Sequence, residues 1–90
     1  MLEKLQKNLD QLKGKNIGIV QGGFLQSKYD IQNTQYFEEN EILNIIDGEN
    51  GNYLKINLNQ AYKIDSDQDK TKIYLDNDLI ITINRKEIDQ

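Results

Sequence analysis

Between positions 53 and 84 apolar and polar residues alternate with few breaks, and a period of two restricts that stretch to strands with one buried and one solvated face. Leu54, Ile56 and Leu58 share one parity, with Lys55, Asn57 and Asn59 on the other. Tyr62 and Ile64 read as continuing the apolar face, Ile73 and Leu75 as resuming it, and Leu79, Ile81 and Ile83 as its last strand. Strands patterned in this way pair as an antiparallel sheet whose second face can meet water.

The N-terminus has a different period. Leu2, Leu5, Leu9 and Leu12 are spaced three, four and three, which makes one stripe of a helix over about residues 2–13. Gly14 stands where a left-handed cap ends such a helix, and Lys13 suits its negative end. So short a helix does not persist alone in water, so its leucines must dock. They either cover an open end of the chain's own sheet, the plainer reading, or enter a partner's groove.

Ninety residues make a single domain, here 1–90, with a β-rich part over 15–84 and a short tail over 85–90. Lys15 to Gln21 reads as a strand with Ile17 and Ile19 inward, and Gly22-Gly23 as a turn. The segment from Phe24 to Asn40 lacks a clean period and is read as one strand within Tyr29 to Glu38. Ile42, Leu43, Ile45 and Ile46 are apolar on both parities, and their β-branched members favour a strand over a helical turn. Asp47 to Asn52 is a turn, Tyr53 to Asn59 a strand, and Tyr62 to Ile64 a further short strand. Lys72 to Leu75 and Leu79 to Asn84 form a hairpin about Asp76-Asn77-Asp78.

With no cysteine and no histidine, the chain has no disulfide, no thiolate metal site and no Cys–His or Ser–His couple. A phosphate-cradling glycine loop is missing as well, so no catalytic residue, no metal ligand and no cofactor is assigned. The formal charge is −4, with 15 acidic against 11 basic residues and Arg85 the single arginine. That balance disfavours sequence-independent nucleic-acid binding, which needs a basic stripe. Neither a signal peptide nor an apolar run of membrane-spanning length is visible, so the expected compartment is the cytoplasm, with no membrane partner.

Two features are candidates for recognition. Asp65, Asp67, Asp69 and Asp76 fall at positions one, three, five and twelve, as in a calcium loop. Lys70 stands where that loop needs glycine, and the flanks are strands, so a solvated acidic turn is the simpler reading. Together with Asp78 these acids can form one acidic patch, read first as a solubilising edge of the sheet and otherwise as a surface that draws a basic partner or imitates nucleic-acid phosphates. Tyr53 and Tyr74 lie on the polar parity of their strands and are expected to be exposed, as interface anchors or as cross-strand packing.

A helix followed by about five twisted strands resembles the plan of small SH3-like barrels, the Sm/LSm class among them. Leu54-Lys55-Ile56-Asn57-Leu58-Asn59-Gln60-Ala61-Tyr62-Lys63-Ile64 is similar in apolar shape to the second conserved Sm block, with Asn57-Leu58 where the family has Arg-Gly. Asp30 and Asn33 resemble the acid and amide of the family's first block. The resemblance implies a barrel, ring assembly and binding of nucleotides or single-stranded RNA.

The fold class expected is therefore mostly β (α+β), with the N-terminal helix packed on a small bent antiparallel sheet or SH3/Sm-like barrel. The expected function is non-catalytic recognition of a protein partner or of another copy of the chain. The binding residues expected are Tyr53, Tyr74, Asp65, Asp67 and Asp69. The rival readings are an Sm-like ring and an acidic nucleic-acid-mimicking inhibitor of a basic enzyme.

Overall fold

In the computed structural model, which describes residues 3–23, 25–67, 70–76 and 78–85, one helix packs on two antiparallel sheets. Helix α1 (Glu3–Leu12) buries Leu5, Leu9 and Leu12, the stripe its spacing predicts; Leu2 lies outside the described residues. Gly14 ends the turn after it at φ 77°, a conformation that glycine reaches without steric penalty.

Eight strands follow among the described residues: β1 (Ile17–Gly22), β2 (Gln26–Ile31), β3 (Thr34–Glu39), β4 (Ile42–Asp47), β5 (Tyr53–Asn57), β6 (Ala61–Ser66), β7 (Lys70–Leu75) and β8 (Leu79–Arg85). One sheet has the order β2-β1-β8-β7-β6 and the other β3-β4-β5. The two are not closed into a barrel. Their inner faces enclose a single core of Ile17, Ile19, Ile31, Leu43, Ile45, Ile56, Ile73, Leu75, Ile81 and Ile83, joined by the helix leucines. No helix among the described residues is long and apolar enough to cross a membrane.

Three expectations are corrected. The single strand expected within Tyr29 to Glu38 is two, because the chain leaves one sheet for the other at Gln32-Asn33. Asn33 turns there at φ 50°, its N–H donates to Asn16 Oδ1 at 3.2 Å, and the Gly48 N–H donates to the Gln32 carbonyl at 3.0 Å. That corner puts Ile31 and Thr34 both inward, an odd step that erases the period of two. Gly48 is the residue this corner requires, since a Cβ there would lie 2.5 Å from the Asn33 carbonyl oxygen.

The strand expected over Tyr53 to Asn59 stops at Asn57. A short 3-10 helix (Leu58–Gln60) follows, capped by the Asn57 side chain, which accepts from the Asn59 N–H at 3.0 Å. Tyr62, expected inward, is 66% exposed. The register of β6 on β7 slips between Ala61 and Lys63, so Tyr62 and Lys63 both crowd over Tyr74 while Ile64 still faces Ile73. A bulge moves one side chain from the core to solvent.

The geometry leaves two seams between the sheets. Helix α1 lies against β6 and β3, an outer strand of each sheet, and covers one seam. Between β2 and β5, the other pair of outer strands, a cleft of about 670 Å³ opens.

Candidate functional site

The acidic turn is structural in its local chemistry. Asp67 closes the β6–β7 hairpin: its N–H donates to the Lys70 carbonyl, and its carboxylate accepts the Lys70 N–H, both at 2.9 Å. Asp65 lies 3.5 Å from Lys63 Nζ and pairs with Lys72 across the strands. Lys4, Lys70 and Lys72 line the same shallow depression as Asp65, Asp67 and Tyr74, so positive charge surrounds the two aspartates. Asp69 lies outside the described residues. Asp76 and Asp78 sit in the turn at the far end of β7, some six residues or about 20 Å of strand away. The single acidic patch that the sequence allows is therefore split between opposite ends of the sheet. Among the described residues no group of three or more Asp, Glu, His or Cys is placed to hold a metal ion.

The two tyrosines part company as well. Tyr74 is half-buried, with Lys63 Nζ 5.3 Å from its ring centroid and Tyr62 6.1 Å away on the same side of the sheet. Its ring is already engaged. Tyr53, in contrast, is 63% exposed on the other sheet, and Lys55 Nζ lies 5.7 Å over its ring.

Tyr53 belongs to a broader apolar surface. Strand alternation puts Gln35, Phe37 and Glu39 of β3, Ile42, Asn44 and Ile46 of β4, and Tyr53, Lys55 and Asn57 of β5 on the outer face of the three-stranded sheet. Cross-strand pairing sets Ile46 beside Tyr53 and Phe37 beside Asn44. Phe37 is 46% exposed, and Ile42 and Ile46 are half-buried with no further layer of described residues over them. At Gly51 and Tyr53 this face runs into the cleft between β5 and β2, where Tyr29, Ile31 and Leu54 supply apolar walls.

Phe37, Ile46 and Tyr29 escaped the reading of the sequence. The one signal for them was the lack of a clean period between Phe24 and Asn40, together with apolar residues on both parities of β4. A strand with both parities apolar has its second face covered or sticky, and here it is only partly covered.

The turn from β4 to β5 gives the cleft a fixed end. Asp47, fully buried, accepts the Glu49 and Asn50 N–H groups, both at 2.9 Å, and the Asn50 side-chain amide at 3.0 Å. The Asn50 side chain first, then backbone N–H donors, hold its carboxyl below the usual carboxylate range against the opposing effect of burial. The loop carrying Gly51, Asn52 and Tyr53 is thereby preorganised.

No protein-family model matches this sequence, and no curated protein or solved structure matches it.

Proposed function

We propose that this domain is a non-catalytic recognition module that binds protein through the outer face of its three-stranded sheet and the adjoining β2–β5 cleft. One observation carries the reading: Phe37, Ile46 and Tyr53 gather around Asn44 on one sheet face and, with Ile42 beyond it, leave four partly exposed apolar side chains on that face. Scattered exposed apolar residues are normal, whereas side chains grouped around the buried Asn44 and bordered by Gln35, Glu39, Lys55 and Asn57 offer a partner mixed apolar and polar contact. The aromatic rings bring large contact area with few rotatable bonds, which is why such residues dominate binding energy. The absence of histidine and cysteine from the chain supports recognition over catalysis. The acidic turn, ringed by lysine, gives the nucleic-acid-mimic reading no comparable support.

A photo-crosslinking side chain at Phe37 or Tyr53, introduced in the source cells, is expected to trap one defined protein. The same group at Tyr62, equally exposed but on the other sheet, should trap none, and Ile46→Lys should abolish capture while the domain stays folded by circular dichroism. Equal capture from Tyr62, or capture that survives Ile46→Lys, would sink the reading.

A further inference from the structure

We infer that two copies of this chain associate edge to edge through β2, in one register centred on Tyr29. The inference rests on the recognition reading and deepens it by naming one partner as a second copy.

Among the outer strands of the two sheets, β2 is the one with neither a bulge, a helix lying against it nor an early end. Strand β6 is bulged between Ala61 and Lys63 and lies against α1. Strand β3 begins with the Thr34 N–H donating to the Lys15 carbonyl at 2.9 Å, and α1 lies beside it too. Strand β5 ends after five residues in the 3-10 helix. Bulges, short strands and covering elements are the usual defences of a sheet edge. Strand β2 has none of these, and its only edge charges are the opposite pair Lys28 and Asp30: six consecutive residues pair with β1 without a slip, five of them are exposed, and the strand contains no proline. Its residues Lys28 to Ile31 line the open cleft.

Charge then selects the occupant and the register. A two-fold axis perpendicular to the sheet pairs β2 with its copy antiparallel and keeps each face continuous, so residues meet only partners of the same parity. Centred on Tyr29, the pairing sets Lys28 opposite Asp30 of the second copy, and Asp30 opposite its Lys28. Tyr29 then meets its own counterpart on the inner face, and Ser27 meets Ile31. Moving the centre to Lys28 sets two lysines opposite each other, and moving it to Asp30 sets two aspartates, both unfavourable across a strand pair. The sequence Lys28-Tyr29-Asp30 is thus complementary to itself about its middle residue. Asp30 already has a contact within its own chain, and a carboxylate has room to accept a second. The result is a ten-stranded sheet across the dimer, with each Tyr29, 45% exposed in the single chain, covered by the other.

The test is the native mass of the full chain by light scattering, alongside charge reversals on this exposed strand. Wild type is expected to dimerise. Lys28→Asp and Asp30→Lys should each weaken association by about tenfold or more, since every cross-axis pair becomes like-charged. An equimolar mixture of those two variants should associate again, because the two acids of one strand then face the two lysines of the other. A second measurement fixes the register: in a chain without native cysteine, Tyr29→Cys should form a disulfide-linked dimer on mild oxidation and Lys28→Cys should not. A wild type that stays monomeric up to about 1 mM would overturn the inference and leave the recognition reading standing. A dimer broken by Phe37→Ser and Tyr53→Ser but indifferent to Lys28→Asp would also overturn it, placing self-association on the outer face of the three-stranded sheet instead.

Discussion

Tyr36 fastens the helix to the three-stranded sheet. Its hydroxyl donates to the Asp10 carboxylate, and Lys13 Nζ lies 3.6 Å from that carboxylate and 5.1 Å over the tyrosine ring. Burial first, then the hydrogen bond and charge of Asp10, push the phenol up to about 12 from an ordinary value of 10.0. A group with a raised folded pKa contributes stability that is complete below its unfolded pKa and lost above it. The Tyr36 contribution is therefore intact below pH 10 and disappears as the pH rises from 10 towards 12. It is on the order of 1 kcal/mol, because partial access of water screens the pair. Tyr36→Phe should accordingly be less stable than wild type at about pH 8, with the gap closing by about pH 12 in thermal melts followed by circular dichroism. A gap that stays constant across that range would mean that the hydroxyl is not coupled to Asp10. Asp47 has the opposite sign: its depressed carboxyl contributes at neutral pH, and that contribution is lost as the pH falls through the carboxylate range.

At the scale of elements, the hairpin joining β3 to β4 turns in two residues with positive φ, Asn40 at 53° and Glu41 at 63°. Such two-residue turns match the right-handed twist of paired strands, but they strain any residue with a Cβ unless it is Asn or Asp. Asn40 suits its place and Glu41 does not. Glu41→Gly should raise stability by roughly 0.5–1 kcal/mol, the left-handed strain relieved less the added freedom of the unfolded chain. The Glu41 carbonyl that accepts from the Leu58 N–H at 2.8 Å is retained in this variant. The urea midpoint measures the change, and a lower midpoint would show that the glutamate side chain holds the turn.

At the scale of the molecule, α1 seals one seam between the sheets while the other stays open, so one short helix completes a core shared by both. Leu9 is 1% exposed within that core. Leu9→Ala should remove about 2–5 kcal/mol, a large share of the roughly 5–15 kcal/mol that holds a domain of this size together. Because both sheets face the same core, the loss should spread to each. Amide exchange at Ile45 in the three-stranded sheet and at Ile73 in the five-stranded sheet should accelerate together. Faster exchange confined to residues 3–12 would show instead that the helix is an appendage.

The sequence by itself determined the helix, its leucine stripe, the inward residues of β1, β5, β7 and β8, and the turn at Asp47 to Asn52. Each of these depends on neighbours within a few positions, because periodicity and turn chemistry are local properties of the backbone. Only the tertiary structure decided that the chain changes sheets at Asn33, that a bulge turns Tyr62 outward, and that the aspartates divide between two ends of β7. It decided also which aromatic rings stay in reach of solvent, leaving Phe37 and Tyr53 open while Tyr62 and Lys63 cover Tyr74. Exposure and strand partnership depend on what lies across the sheet or above it, and those groups come from distant parts of the chain. A local pattern identifies the face of a strand, and long-range packing determines whether that face is covered.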